Sequence, residues 1–158
     1  MNTLNYKEVI RKLEYYCSYQ ERCHQEVQQK LKSFFLSAEE REHIIVHLIE
    51  QNYLNEERFA EVYTLSKFHQ KKWGKKRIES ELKIRNISPY LITKSLQLIE
   101  KEHYQQVFEQ LAEKTWEQLT TSNLNQKEKK WFDSLFRKGY ETAMIQSYFN
   151  NFLKNERK

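Results

Sequence analysis

Ile78-Glu79-Ser80-Glu81-Leu82-Lys83-Ile84-Arg85-Asn86-Ile87-Ser88-Pro89 carries the end of one helix, a tight turn and the start of the next. Ile78 and Leu82 stand four apart, on one helix face. Asn86 tolerates the left-handed backbone that closes a helix, and Ser88-Pro89 supplies an N-cap with proline at the first helical position. The same spacing recurs upstream in Val27, Leu31, Leu36 and Ser37, and downstream in Trp131, Leu135, Tyr140 and Glu141. The leading helices of these pairs should end near Ser33, Arg85 and Lys138. The turn position is Phe35, Asn86 and Gly139 in the three copies, and only the last two suit a left-handed residue, so the first turn is expected to be the least sharp.

Ser37-Ala38-Glu39-Glu40 is a capping box and marks the second helix of the first pair. Ahead of each pair lies a longer stretch with apolar residues three and four apart: Tyr6 to Cys17 after Asn5, Glu56 to about Gln70 after Asn55, and Tyr104 to about Thr120. The chain is therefore predicted to be all-α, with three tandem three-helix repeats at residues 1–54, 55–102 and 103–158. Repeats of this size cover each other's apolar faces, and the expected result is an elongated, curved, right-handed-type helical array.

Composition agrees. The 158 residues include only two glycines and one proline, too little material for a set of tight hairpins. Aromatic residues make up 14% and charged residues 31%, which suits thin helical layers better than a thick globular centre. No early stretch has the form of a cleaved signal, and no apolar run is long enough for a membrane span, so a cytoplasmic chain without a membrane partner is expected. Cys17 and Cys23, six apart, are expected as reduced, partly buried thiols.

The formal net charge is +5, and its distribution is more informative than its size. Between residues 67 and 85 stand Lys67, Lys71, Lys72, Lys75, Lys76, Arg77, Lys83 and Arg85, opposed only by Glu79 and Glu81. The remainder is close to neutral, so residues 55–102 form a basic centre. Trp73-Gly74 sits inside this run at a predicted helix start, where backbone N–H groups and the helix dipole also favour anions. Trp73 can stack on a base or partner surface, or pack as a staple at the helix entrance. The pattern points to sequence-independent attraction to a phosphate backbone rather than to base reading.

Catalytic and metal signatures are missing from the sequence. His43 and His47 have the four-residue spacing of a metal pair, but no third ligand follows at a useful interval, and solvent-facing or partly buried histidines are expected. Asp133 is the single aspartate, and no Gly-rich phosphate loop, nucleophile elbow or carboxylate pair can be assembled. Neither an enzyme nor a cofactor is predicted.

Tyr53-Leu54-Asn55-Glu56-Glu57-Arg58-Phe59-Ala60 resembles the Tyr-Leu-Asp-Asp-Glu-Arg-Phe-Ala signature of the RecX regulatory proteins. Trp73-Gly74-Lys75-Lys76-Arg77-Ile78-Glu79-Ser80-Glu81-Leu82, followed by Asn86-Ile87-Ser88, resembles the basic segment and helix of that family's second repeat. The similarity is strongest from Val27 to Leu98; in the third repeat it rests on Trp131, Leu135, Gly139 and Tyr140. Asn55 replaces an acidic residue, Phe35 stands where glycine is common, and Cys23 stands where a serine would cap.

The resemblance implies a monomer that binds along the groove of a RecA recombinase filament on DNA and restrains strand exchange and co-protease activity. On that reading Arg58, Lys67, Lys71, Lys72, Lys75, Lys76, Arg77, Lys83 and Arg85 are the expected filament and DNA-phosphate contacts. Glu56, Glu57 and Trp73 are expected partner contacts. Two other readings stay open: a helix-turn-helix protein that binds duplex DNA directly, and a helical protein adaptor whose binding would resist salt.

Overall fold

A computed structural model describes residues 5–154. The helices run in the order α1 (Tyr6–Tyr19), α2 (His24–Leu31), α3 (Ala38–Glu50), α4 (Glu56–Lys71), α5 (Lys75–Ile84), α6 (Pro89–Leu96), α7 (Lys101–Gln118), α8 (Leu124–Lys138) and α9 (Thr142–Tyr148). Phe149–Leu153 continues α9 as a π-helical turn. No strand occurs among the described residues, and the fold is all-helical. The spacing set by Ile78, Leu82, Ile87 and Ser88 is visible in all three copies: at each, two apolar residues of the leading helix are buried, and the residue beyond the turn position is buried at Ile87 and Tyr140 and half-buried at Leu36.

The caps explain most helix starts. Asn5 Oδ1 accepts from Glu8 N at 2.9 Å, Asn55 Oδ1 from Arg58 N at 3.0 Å, and Ser88 Oγ from Leu91 N at 3.3 Å. Ser37 and Glu40 form the reciprocal box. Cys23 has no hydroxyl, but Glu26 reaches back to its backbone N–H at 3.1 Å and α2 begins on schedule. The start of α7 differs from expectation. It begins at Lys101 rather than Tyr104, because Glu100 already has extended backbone and leads into the helix without a side-chain cap.

The turns also sort as their residues dictate. Asn86 (φ 59°) and Gly139 (φ 103°) are left-handed, whereas Phe35 is not, and its side chain is 90% exposed. Two further left-handed residues, Asn52 (φ 61°) and Lys72 (φ 58°), close α3 and α4.

The chain packs as two compact units. Among the described residues, the first lies within residues 1–63 and 82–93 and the second within residues 64–81 and 94–158. In the first unit, Val9, Leu13 and Cys17 of α1 meet Val27 and Leu31 of α2, Ile44 and Leu48 of α3, and Leu54. Cys17 and Cys23 are buried and unbridged, and burial pushes both thiols up to about 11. They are therefore protonated and inert at neutral pH.

The second unit is built on aromatic rings. Trp131 is fully buried, with Trp116 edge-on at 6.1 Å and Tyr148 and Phe149 nearby, and its indole N–H donates to the Ala112 carbonyl at 2.9 Å. Phe68, Tyr104, Phe108 and Tyr140 form a second run of ring contacts at 5.1–5.8 Å. Across this unit Thr64 of α4 donates to Ser95 of α6 at 3.0 Å, so the two buried hydroxyls satisfy each other.

Candidate functional site

The two glycines of the chain touch. Gly74 N donates to the Lys138 carbonyl at 2.7 Å, and Lys76 N to the Gly139 carbonyl at 2.9 Å. The turn between α4 and α5 is thereby laid, backbone on backbone, against the turn between α8 and α9. Two side chains reinforce the contact: Tyr140 Oη donates to the Lys72 carbonyl at 2.7 Å, and Lys138 Nζ to the Lys71 carbonyl at 3.2 Å. Arg77 adds a longer bond to the Arg137 carbonyl at 3.4 Å.

This docking gathers cations. Lys71, Lys72 and Lys76 are exposed, and Lys75 and Arg77 are half-buried. Arg137 and Lys138 join them from the end of α8, a contribution that the sequence reading missed. Among the described residues, no carboxylate lies within ion-pair distance of any of these seven. Lys67 and Arg77 both lie over the Trp73 ring, at 5.1 and 4.2 Å, and Lys75 lies over Tyr104 at 4.8 Å. Trp73 is thus half-buried under two cations.

The helix start itself is not an anion site. Three N–H groups there are already spent, that of Gly74 on the Lys138 carbonyl, that of Lys76 on the Gly139 carbonyl and that of Lys75 on Tyr104 Oη at 3.0 Å. Tyr104 passes that bond on to the Glu141 carboxylate at 2.9 Å. Burial drives the Tyr104 and Tyr140 phenols well above their ordinary range, so both remain hydroxyl donors. What can meet a phosphate here is the fringe of side chains, not the backbone.

The remaining predicted residues belong to the first unit. Arg58 is a structural clamp: its Nε donates to Glu21 Oε1 at 2.6 Å, and its Nη2 to the Asn52 and Tyr53 carbonyls at 3.0 and 3.3 Å. The other Glu21 oxygen is buried without a hydrogen-bond partner among the described residues, so the Arg58 pairing carries that carboxylate. Glu56 caps α2 from α4, accepting from His24 N at 3.2 Å. Glu57 is half-buried in the first turn of α4, Lys83 is exposed on α5, and Arg85 lies over Tyr63 at 4.9 Å. The Tyr53–Ala60 motif is therefore a joint, with Leu54, Phe59 and Ala60 buried and Asn55, Glu56 and Arg58 tying α4 to the segments around it.

Arg58→Lys should destabilise the first unit by about 1–3 kcal/mol, because an ammonium cannot serve Glu21 and the turn carbonyls together. A circular-dichroism melt that does not shift would show the clamp to be dispensable.

His43 is exposed, and His47 pairs with Glu14 at 2.9 Å. Among the described residues, no group of three or more metal-ligating side chains converges, and no helix is long and apolar enough to cross a membrane.

Comparison with known proteins places these features in a family context. Residues 55–96 match the family described as RecX, second three-helix domain. The chain is 29% identical over 131 residues to the regulatory protein RecX of Bacillus cytotoxicus, and 28% identical to that of Bacillus cereus. Each alignment covers 83% of this chain and 48% of the relative, so the chain spans about half the length of the curated relatives it matches. The crystal structure of RecX from Lactobacillus salivarius superposes with a TM-score of 0.79 at 25% identity, covering 92% of this chain and 94% of that one. A second crystal structure of regulatory protein RecX gives 0.82 at 20% identity, over 92% and 73%, and bears on the fold alone.

Proposed function

We propose that this chain, which belongs to the RecX family of regulatory proteins, restrains a RecA recombinase by binding its filament on DNA through the cations around the Gly74–Gly139 contact. The observation that carries the reading is the gathering of Lys71, Lys72, Lys75, Lys76, Arg77, Arg137 and Lys138 at one junction without a neutralising carboxylate among the described residues. Seven cations gathered at two hydrogen-bonded turns suit a polyanion whose charge repeats regularly, and they read phosphate without reading sequence. Lys67 and Trp73 flank the cluster as its edge. Lys83 and Arg85 are further proposed contacts in the first unit.

The mechanism is occlusion. A helical regulator seated on the filament through phosphate contacts denies that surface to an incoming duplex, and strand exchange and co-protease action fall together. No bond is made or broken by the regulator. The residue boundaries 1–54, 55–102 and 103–158 remain the proposed repeat limits, with α7, the leading helix of the third, beginning two residues ahead of its boundary at Lys101.

The test is strand exchange and DNA-dependent ATPase of the cognate recombinase, with and without the full chain, over a series of salt concentrations. Inhibition that weakens steeply as salt rises is expected, since each phosphate contact releases counterions. Absence of inhibition at equimolar protein would overturn the reading. Inhibition indifferent to salt would move the assignment to a protein-only adaptor.

A further inference from the structure

The first unit carries a second basic surface of a different kind. Along α1, Tyr15 and Tyr19 project side by side with ring centroids 6.3 Å apart, and they are 71% and 70% exposed. They border a groove of about 430 Å³. Its cations are Arg11 and Lys12 of α1, Arg22 of the α1–α2 loop and Lys30 of α2. Arg22 is fixed within it: its guanidinium stacks over Tyr16 at 3.8 Å, Nε donates to the Tyr16 carbonyl at 3.0 Å, and Glu26 lies 3.8 Å away. Lys30 lies over the other reach of the same ring, at 5.5 Å. Among the described residues, no carboxylate pairs with Arg11, Lys12 or Lys30.

Exposed flat rings interleaved with cations are what unpaired nucleotides recognise: bases stack on the rings while phosphates meet the charges. A duplex can use only the charges, because its bases already stack on each other. The core has no use for Tyr15 and Tyr19, since α1 buries Val9, Leu13 and Cys17 on its other face.

We propose that the α1 groove is a binding site for single-stranded DNA, independent of sequence and separate from the cation cluster of the second unit. The choice of DNA as the strand rests on the function proposed above; the stacking chemistry does not. The site would let the regulator hold displaced or uncoated strand beside the filament it restrains.

The test measures binding of the full chain to fluorescent oligothymidine, oligouridine and a duplex of equal length, by anisotropy. The wild-type chain should prefer oligothymidine to duplex. Tyr15→Ala with Tyr19→Ala should weaken oligothymidine binding by about tenfold for each ring lost, and leave duplex binding unchanged. Tyr15→Phe with Tyr19→Phe should bind as wild type, because the rings are kept. All four changes are at exposed positions, and an unaltered melting curve checks the fold.

Equal binding by the alanine pair and wild type would overturn the proposal, as would equal affinity of the wild-type chain for single strand and duplex. So would loss in the phenylalanine pair, efficient competition by polyglutamate, or a clear preference for oligouridine. Failure of filament inhibition with this preference intact would remove only the function proposed above, so the two outcomes separate.

Discussion

Gly74→Ala is expected to unfold the second unit at temperatures where the wild-type chain is fully folded. A β-carbon at this position would sit 2.3 Å from both the carbonyl carbon and the oxygen of Gly139, and 2.5 Å from Tyr140 N. All three are backbone atoms, so no side-chain rotation relieves the overlap. The two turns must separate, and with them go the bonds from Gly74 to Lys138, from Lys76 to Gly139 and from Tyr140 to Lys72. Overpacking plus lost buried hydrogen bonds should cost about 3 kcal/mol or more. Trp73, Trp116 and Trp131 all lie in this unit, so tryptophan fluorescence during urea titration reports on it directly.

Lys72→Gly is the matched control. The left-handed φ of 58° at Lys72 penalises a side chain, so glycine there should leave the midpoint unchanged or raise it. An unshifted midpoint for Gly74→Ala would mean that the glycine contact is not required.

Reversing three charges at once, Lys71→Glu, Lys72→Glu and Lys76→Glu, should raise the amount of protein needed to inhibit the recombinase by tenfold or more, on the order expected for several lost phosphate contacts. The slope of log affinity against log salt should fall by roughly 3, about one for each contact removed. Stability should not follow, since all three side chains are exposed and Lys71 and Lys72 enter the glycine junction through their carbonyls. A triple arginine variant should inhibit like wild type. An inhibition curve identical in the glutamate variant and the wild type would remove these cations from the interface.

Much of the fold was legible because helix ends have local chemistry. Asn5, Ser37, Asn55 and Ser88 each announce a start, and Asn86 and Gly139 each announce a stop. Lys72 could not be read that way. Lysine has no preference for left-handed backbone, and only the bond from Tyr140, distant in sequence, shows why the chain turns there.

The candidate site was half legible for a similar reason. The run from Lys67 to Arg77 is visible as composition, but Arg137 and Lys138 join it only through a contact made in three dimensions. Arg58 looked like one more free cation. Its partner Glu21 lies in the loop between α1 and α2, so a charge count along the chain could not show that Arg58 is held in an ion pair. Tyr15 and Tyr19 were invisible as a surface because helical periodicity treats any aromatic ring as apolar. Their exposure, not their spacing, makes them notable.

The meeting of the two glycine turns also orders events during synthesis. Chains emerge from the ribosome amino end first, and early segments can settle while later ones are still being made. The lysines of the α4–α5 turn leave the exit tunnel well before Gly139 and Tyr140 are polymerised. Until those arrive, the cations have no fixed arrangement and no tyrosine holding their backbone in place. On the function proposed above, a nascent chain would therefore meet nucleic acid as a loosely basic tether, and would acquire its shaped grip only after α8 and α9 have closed on the finished turn.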